Sequence, residues 1–482
     1  MAAETTAGTL TVPQSRGIGG FLSREGLLVL VVAVASCVPL FRDIATGVTQ
    51  DTWLALVAGR DILDHGLPMH NTWTVQAAGH HWVDQQWLGQ AVFAELFRLG
   101  GLRLVLLVCG VANLLALGAA VAAARRSGAS ARVTAFVAVV AFASTSANPR
   151  VQTLVFPLFV LLVVLISRDS RAPSRRVLLT LPLLALWANI HGSVVLAAGL
   201  VSLYGLVLTL RRQRTAVAAA LLLAPWACAV ASPYATGLPG YYKLMLTTSP
   251  LQAFVVEWQP THLRLVTLPF FALLALAVYL AGRARGTLTV AEGVLLVATG
   301  VAGLLVIRNM VWFALVAACL LPPLLGRVLA EREAKDGFNR LLGLCGIAIA
   351  VAVFGAVATR SDAGLKGYPS SGAAAAAKAA GATGHVYATL KYGDWLLWEQ
   401  PGLACRVAFD ARVELLTTPQ IANIADVVGG RVTPDVYRSN RVFVVSTAEP
   451  DALASLRACT RHTVYARDGV VVLVGAKPTC RR

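Results

Sequence analysis

The polar stretch at residues 51–88, DTWLALVAGRDILDHGLPMHNTWTVQAAGHHWVDQQWL, interrupts a chain that otherwise consists largely of apolar segments. It contains four of the 24 acidic residues and four of the eight histidines in the 482-residue chain. Ionisable side chains are costly inside a bilayer and cluster where a membrane protein meets water or substrate. The stretch therefore indicates a functional loop beside a membrane.

The composition of the whole chain is that of a protein with many membrane helices. Hydrophobic residues make up 57% of the sequence, charged residues only 13%, and the mean hydropathy is +0.69. A soluble globular domain has a far more polar composition, so that class is excluded. The net charge of +17 does not indicate nucleic acid binding, because the basic residues form short clusters between apolar runs, as membrane topology requires.

The apolar runs predict a polytopic α-helical membrane protein with about eleven transmembrane helices. We interpret the first run as a membrane helix rather than a signal peptide, because it lacks a clear small-residue cleavage site. The predicted spans are residues 25–42, 102–124, 132–147, 151–167, 177–190, 192–210, 215–231, 265–281, 288–306, 309–326 and 341–358.

Basic residues occupy every second connection between these spans. Under the positive-inside rule those connections are cytoplasmic. We therefore predict a plasma-membrane protein with a cytoplasmic N-terminus, in which the acidic loop 43–101 and everything after about residue 359 lie outside. The basic connections contain Arg125, Arg126 and Arg132; Arg168, Arg171, Arg175 and Arg176; Arg211, Arg212 and Arg214; Arg283 and Arg285; and Arg327, Arg332, Lys335 and Arg340.

Four regions follow from this topology. Residues 1–24 form a cytoplasmic N-terminal segment, 25–358 a transmembrane domain, 359–370 a linker, and 371–482 an extracytoplasmic α/β domain. The last region alternates β-type and helical runs, from HVYATL through WLLWEQ and CRVAFDARVELL to VFVVST, HTVYAR and VVVLVGA. Asp468-Gly469 predicts a hairpin turn between the final two runs.

The outer α/β region contains three cysteines and one conspicuous charge pair. An extracytoplasmic compartment permits one disulfide among the cysteines, and free thiols are the alternative. Asp410 and Arg412 are typical of a structural charge pair near a strand end, and the alternative is that they contact a sugar or an acceptor. The three cysteines are Cys405, Cys459 and Cys480.

Motifs over nearly the whole chain resemble the GT-C superfamily of membrane glycosyltransferases. The chain looks most like a bacterial, largely actinobacterial, group of multi-spanning proteins, most of which have no assigned substrate. Two positions depart from that group: Leu54-Ala55-Leu56 lacks a histidine, and Asn71 stands where an aspartate is frequent. The motifs are Asp51-Thr52-Trp53 with Gly59, His65-Gly66-Leu67-Pro68, residues 82–88, Arg150 and Gln152, residues 187–192, Ser232-Pro233-Tyr234, Glu257-Trp258, Arg308-Asn309, residues 393–398 and Phe409-Asp410-Ala411-Arg412.

The resemblance implies transfer of a sugar from a polyprenyl-phosphate donor to an acceptor of unknown class at the outer face of the membrane. The partners would be a lipid-linked sugar donor, membrane lipid and that acceptor. A non-catalytic membrane scaffold with a partner-binding outer domain is the alternative, as is a transporter of lipid-linked sugars. No cofactor is predicted, and the asparagine at position 71 disfavours a divalent metal in the first outer loop.

Such a transfer needs a base to take the proton of the acceptor hydroxyl. Asp51 is the leading candidate, because it lies just beyond the first span and opens an amphipathic segment. Asp84 and Asp43 are the alternatives. A simpler interpretation is that Asp51 caps the N-terminus of a helix.

The departing lipid phosphate needs cationic or hydrogen-bond donors at the outer face. Arginine suits phosphate through its planar fork of donors, whereas a lone arginine at a helix end often extends to lipid headgroups instead. Short connections restrict His191 and Arg308, which makes them the leading ligands. The full set of candidates at predicted outer helix ends and loops is Arg308, His191, Arg150, Lys243 and Arg264.

Aromatic and acidic residues of the outer loops are candidates for binding sugar or acceptor. Aromatic faces stack on sugars but also lie at the membrane interface. The four histidines of the first loop lack the spacing of a helical zinc-ligand pair, so no metal ligand is predicted. The candidates for substrate contact are Glu257, Trp258, Tyr234, Trp53 and Trp87.

Overall fold

A computed structural model describes residues 17–144, 150–247, 255–283, 286–329 and 336–480. Most of the predicted N-terminal segment 1–24 lies outside these ranges, as do the end of the predicted third span, part of the 232–264 loop and the last two residues of the predicted outer domain. Three of the residues used in the charge analysis also lie outside the described residues: Arg285, Arg332 and Lys335.

Thirteen helices precede the C-terminal region in the described part of the chain. They form a helical membrane body because long apolar runs satisfy their backbone polar groups internally. In chain order they are α1 Ile18–Thr46, α2 Gln50–His65, α3 Trp87–Arg126, α4 Ala131–Ala143, α5 Phe156–Arg171, α6 Thr180–Ile190, α7 Val194–Leu210, α8 Thr215–Ala229, α9 Leu238–Thr247, α10 Leu268–Arg283, α11 Val290–Leu305, α12 Met310–Val328 and α13 Asp336–Thr359.

Six helical segments among the described residues are long and apolar enough to cross a membrane. The remaining apolar helices are shorter, and a helix of 13 residues spans only about 20 Å of a hydrocarbon core that is about 30 Å thick. The predicted count of eleven is therefore not confirmed. The six spans are Ile18–Thr46, Trp87–Arg126, Val151–Arg171, Leu265–Arg283, Ile307–Val328 and Gly337–Thr359.

Helix α2 begins the segment between α1 and α3, and it packs closely against α3. A Cβ atom at Gly59 would lie 2.0 Å from the carbonyl oxygen of Gln90, so only glycine allows this approach of the two helices. The buried face of α2 joins one hydrophobic cluster with residues of the C-terminal region, including Trp53, Leu56, Trp395 and Leu396. The loop and the C-terminal region therefore share a core.

The residues predicted as a linker fold into a short helix, α14 (Asp362–Lys366), that packs against the membrane body. The Leu365 carbonyl accepts a hydrogen bond from the Val48 amide at 3.1 Å, and the Asp362 carboxylate accepts one from the Leu102 amide at 3.1 Å. Leu365 itself is fully buried. This segment therefore fixes the position of the C-terminal region relative to the helices.

The C-terminal region is a four-stranded sheet flanked by short helices. The strand order is β1-β2-β4-β3, with β1 parallel to β2 and the other two pairs antiparallel. The run WLLWEQ lies mainly in a helix, and the run CRVAFDARVELL forms isolated bridges through Val407 rather than a strand. The elements are α15 Ser370–Ala380, β1 Val386–Ala388, α16 Gly393–Glu399, α17 Thr418–Val428, α18 Pro434–Ser439, β2 Val442–Ser446, α19 Pro450–Cys459, β3 Thr460–Arg467 and β4 Val470–Ala476.

One local prediction for this region is confirmed, and the structure decides between the two alternatives left open for the cysteines. Asp468 and Gly469 both have positive φ, 50° and 78°, as a two-residue hairpin turn between right-twisted strands requires. Cys459 and Cys480 form a disulfide, and Cys405 is a free, exposed thiol. The disulfide joins the start of β3 to the segment that follows β4.

Candidate functional site

Asp51 lies in the first turn of α2, at the start of the segment between α1 and α3. Thr49 is the N-cap residue of this helix, so Asp51 is not the cap itself. Its carboxylate Oδ2 is 3.1 Å from the Nε atom of Arg150, and its side chain is 38% exposed. Asp51 is therefore accessible and already paired with a cation.

Arg150 joins two carboxylates from distant parts of the chain. Its two terminal nitrogens donate hydrogen bonds to the Glu257 carboxylate at 2.9 and 2.5 Å, in the planar fork geometry that arginine favours. Burial lowers the pKa of Arg150, but the bonds from Glu257 and the charge of Asp51 outweigh it and leave the pKa raised. Burial raises the pKa of Glu257, and the bonds to Arg150 more than reverse this, so that pKa is lowered. The pair stays charged.

Arg308 forms the neighbouring part of the same site. It belongs to the short turn Ile307–Asn309 before α12, and its guanidinium lies over the ring of Trp258, 4.6 Å from the centroid. The Ile307 amide donates to the Gln259 carbonyl at 3.0 Å, which fixes the loop carrying Glu257 and Trp258 against this turn. Arg308 therefore interacts electrostatically with both Glu257 and Asp51.

His191 follows α6 and is only 8% exposed. Its Nδ1 atom accepts a hydrogen bond from the Ser193 amide at 3.1 Å and also contacts the Ser193 hydroxyl at 2.8 Å. Burial, followed by the charges of Arg308 and Arg150, lowers the pKa of His191 to about 3. We assign the neutral ring from this network, with the proton on Nε2, where it can act as a donor.

The other predicted phosphate ligands lie outside this arrangement. Lys243 and Arg264 are exposed, and within the described residues neither side chain makes an ion pair or hydrogen bond with Asp51, Arg150 or Glu257. The structure therefore brings together Arg150, His191 and Arg308 but not the remaining two.

Three of the predicted substrate-binding aromatic residues have structural contacts. Trp53 is fully buried and packs near Tyr368, with ring centroids 6.2 Å apart. Tyr234 is buried and donates its hydroxyl hydrogen to the Pro68 carbonyl at 2.8 Å. Trp87 donates from its indole nitrogen to the Asn189 side chain at 2.8 Å. Trp258, by contrast, lies in the site beneath Arg308.

The two alternative bases are both buried. Asp43 is completely inaccessible within α1, and Asp84 is 2% exposed. Burial is the main cause that raises the pKa of Asp84 to about 7. Its Oδ1 atom accepts from the Gln86 amide at 3.3 Å. Neither carboxylate matches Asp51 in access to water.

A second arginine centre connects the segment between α2 and α3 to the C-terminal region. Arg412 pairs with Asp410 at 2.5 Å and donates to the Asn71 side chain at 2.5 Å. Its guanidinium packs against the rings of both Trp73 and Trp82, 3.9 and 4.4 Å from their centroids. Asp410 and Arg412 are 3% and 1% exposed, which agrees with the predicted structural charge pair.

Sequence reasoning paired Arg412 with Asp410 but missed its contacts with Asn71, Trp73 and Trp82, although Asn71 was noted as a departure. An aspartate at position 71 would add a second carboxylate beside Asp410, whereas asparagine supplies a neutral acceptor to the same guanidinium. Asp394 also borders this centre, and burial and the neighbouring Asp410 raise its pKa well above the usual range. Asp394 interacts electrostatically with Asp51 as well, so the two centres are neighbours.

Metal-binding side chains are not concentrated in the site. Across the described ranges, no group of three or more His, Cys, Asp or Glu side chains is arranged to hold a metal ion. What the site does offer is one accessible carboxylate, a bidentate arginine–glutamate pair, an arginine over an aromatic ring and a neutral histidine. This set can accept a proton and stabilise a developing negative charge in the same place.

Sequence comparison identifies no relative: no protein-family model and no curated protein matches the chain significantly. Structural comparison does. The archaeal oligosaccharyltransferase AglB from Archaeoglobus fulgidus, in complex with an inhibitory peptide and a dolichol-phosphate, is similar with a TM-score of 0.51 and 12% identity, over 94% of this chain and 74% of AglB. The same enzyme in its apo form also scores 0.51, at 11% identity, over 90% and 70% of the two chains.

A further similar structure is ArnT from Cupriavidus metallidurans bound to undecaprenyl phosphate. Its TM-score is 0.47 at 17% identity, over 93% of this chain and 98% of ArnT. At these identities the comparisons bear on the fold, and it is the two AglB structures that carry the argument.

Proposed function

We propose that this membrane protein, whose fold is that of the GT-C glycosyltransferases, moves a sugar from a polyprenyl-phosphate donor to an acceptor at the outer face of the membrane. The observation that carries the proposal is the convergence of Asp51, Arg150, Glu257, Arg308 and His191 from five separate parts of the chain. A base and a stabiliser of the leaving group must flank one reacting centre, and this arrangement supports that requirement.

Asp51 acts as the base in this proposal. Its carboxylate takes the proton of the acceptor hydroxyl as the new bond to the anomeric carbon forms. The ion pair with Arg150 holds the Asp51 carboxylate in one position, while its exposed face stays available to the acceptor. Glu257 occupies both terminal nitrogens of Arg150, so Arg150 orients the two carboxylates rather than binding phosphate.

Arg308 and His191 receive the lipid phosphate. As the bond between the anomeric carbon and the phosphate oxygen breaks, negative charge grows on that oxygen. Arg308 supplies a positive charge, and the neutral His191 supplies an Nε2–H donor without adding a second charge beside Arg150. Trp258 beneath Arg308 fixes the guanidinium and offers a ring edge toward the sugar.

Binding of the lipid phosphate can be tested with a matched pair of outer-loop arginines. In Arg308→Gln the affinity of the full-length protein in detergent for polyprenyl phosphate is expected to fall by about tenfold or more, the value of one charge-assisted contact. Arg264→Gln removes an equal charge from an exposed side chain outside the site and is expected to leave the affinity unchanged. Equal affinity of Arg308→Gln and the unmodified protein would show that Arg308 does not bind the lipid phosphate.

A further inference from the structure

A basic hollow lies at one end of the C-terminal sheet, away from Asp394. Its volume is about 440 Å³, and it is formed where β1 and β2 begin and where the β3–β4 pair has its open end. A volume of this size accommodates a small ligand such as a monosaccharide phosphate. The residues that line it are Thr383, Gly384, His385, Arg438, Ser439, Asn440, Arg441, Arg461, Gly475 and Ala476.

The lining contains three arginines and one histidine but no acidic side chain. Arg438 is paired with Asp435 at 2.7 Å. Within the part of the chain that the structure describes, the side chains of Arg441 and Arg461 form no hydrogen bond or ion pair. Like charges around one hollow repel each other, and an anion bound between them relieves that repulsion.

The shape of the hollow is built into the backbone. A Cβ atom at Gly384 would lie 2.9 Å from Cδ of Arg441 and 2.5 Å from the Ala380 carbonyl oxygen, so a side chain there would displace Arg441. Gly475 has a φ of 73° and lies against the aliphatic part of Arg461. The Cys459–Cys480 disulfide closes the same end of the β3–β4 pair. Close packing of the backbone and the disulfide therefore fix the backbone positions of the arginines.

We propose that the hollow binds an anionic group, a phosphate or phosphodiester, on an extended acceptor chain. The identification of the ligand as part of the acceptor rests on the proposed function, whereas the anion site itself does not. β4 has seven residues, so the hollow lies roughly 20 Å from the end of the sheet that faces Asp394. A chain that reaches from the hollow to Asp51 must contain several residues, which makes the acceptor an anionic oligomer or polymer.

Pyrophosphate binding by the full-length protein tests the anion site directly. The titration is done in an Arg308→Gln background, which weakens the other proposed phosphate site. Arg441→Gln/Arg461→Gln is expected to weaken pyrophosphate binding by about tenfold or more, since two charge-assisted contacts are lost. The control Arg457→Gln/Arg467→Gln removes the same charge from exposed positions outside the lining and is expected to bind as before. Unchanged binding in the first double variant overturns the anion site.

Two further experiments identify the anionic ligand that binds in the hollow. With a soluble glycerol-phosphate oligomer as acceptor, Arg441→Gln/Arg461→Gln is expected to raise KM and leave kcat unchanged, while a neutral oligosaccharide shows no difference between variant and unmodified protein. A difference confined to nanodiscs containing phosphatidylglycerol, with no effect on the oligomer, identifies a lipid headgroup and overturns the acceptor assignment. If the unmodified protein transfers no sugar, the proposed function fails while the pyrophosphate result still decides the anion site.

Discussion

This molecule contains two neighbouring arginine–carboxylate centres, and they differ in burial. In the sealed centre, Arg412 and Asp410 are almost inaccessible, and the Arg412 guanidinium packs against Trp73 and Trp82. In the open centre, Arg150 pairs with Asp51 and Glu257, whose side chains are 38% and 43% exposed. The same pair chemistry therefore joins two parts of the chain in one place and remains accessible to a substrate in the other.

An arginine–carboxylate pair therefore does not by itself mark a functional site. A buried pair that loses one partner leaves an uncompensated charge, which costs about 3–5 kcal/mol. In the open centre Arg150 is only 17% exposed, but both of its carboxylate partners reach water, so this pair is available to a substrate. We therefore assign folding to the sealed centre and chemistry to the open one, and each prediction below tests that division.

Arg412→Ala is expected to give the largest loss of stability. Removal of the guanidinium leaves the buried Asp410 carboxylate without its cationic partner, with the backbone amide of residue 412 as a remaining donor, and we expect the free energy of unfolding to fall by about 3–5 kcal/mol. Thermal unfolding in detergent measures it. Arg431→Ala, which breaks an exposed pair with Asp426, is the control and is expected to cost less than about 1 kcal/mol. A similar melting temperature for both variants would show that the sealed centre contributes no more to stability than a surface pair does.

Asp84→Asn is expected to stabilise the protein at alkaline pH. The pKa of Asp84 is raised to about 7, above its unfolded value near 4, so the folded state binds more protons between these values and loses stability as the pH rises through them. Asparagine avoids that penalty. We expect the variant to gain on the order of 3 kcal/mol over the unmodified protein near pH 8 and almost nothing near pH 4.

The control for this prediction is Asp64→Asn, which changes an exposed aspartate in α2. Its melting temperature is expected to follow that of the unmodified protein over the whole pH range. A pH-independent difference between Asp84→Asn and the unmodified protein would show that Asp84 does not titrate with the folded state.

His191→Gln is expected to have a smaller effect of the opposite sign with pH. The folded pKa of His191, about 3, lies below the unfolded value of about 6.5, so the unfolded state binds more protons in that window and stability falls as the pH drops through it. The unmodified protein should therefore lose about 1–2 kcal/mol more than His191→Gln between about pH 7.5 and pH 5. Parallel pH profiles for the two proteins would show that the histidine is not held neutral.

Local patterns predicted much of the fold. Apolar runs located the membrane helices, alternating runs located the strands β1 to β4, and Asp468-Gly469 located the hairpin turn. Hydrophobicity alone did not resolve how many helices cross the bilayer, because several helices are apolar yet only 13–17 residues long. Length in three dimensions, rather than composition, separates these helices from the six spans.

The candidate site was less predictable. Charge alternation placed Asp51, His191 and Arg308 at predicted outer helix ends, and the structure brings them near one another; their roles stay predictions. The partner of Arg150 could not be deduced, because Glu257 is 107 residues away in sequence and no periodic pattern connects them. Asn71 and Arg412 are 341 residues apart, and only the folded chain shows that the loop and the C-terminal region are joined by polar contacts such as this one.

Sugar transfer by Asp51→Asn tests the central claim most directly. The assay measures turnover of a labelled polyprenyl-phosphate sugar in membranes containing equal amounts of folded protein, with Asp64→Asn as the control on the same helix. If the open centre performs the chemistry, Asp51→Asn lowers kcat by about 100-fold or more, as expected for loss of a general base, and Asp64→Asn retains full activity. Equal turnover by Asp51→Asn and the unmodified protein would contradict the account.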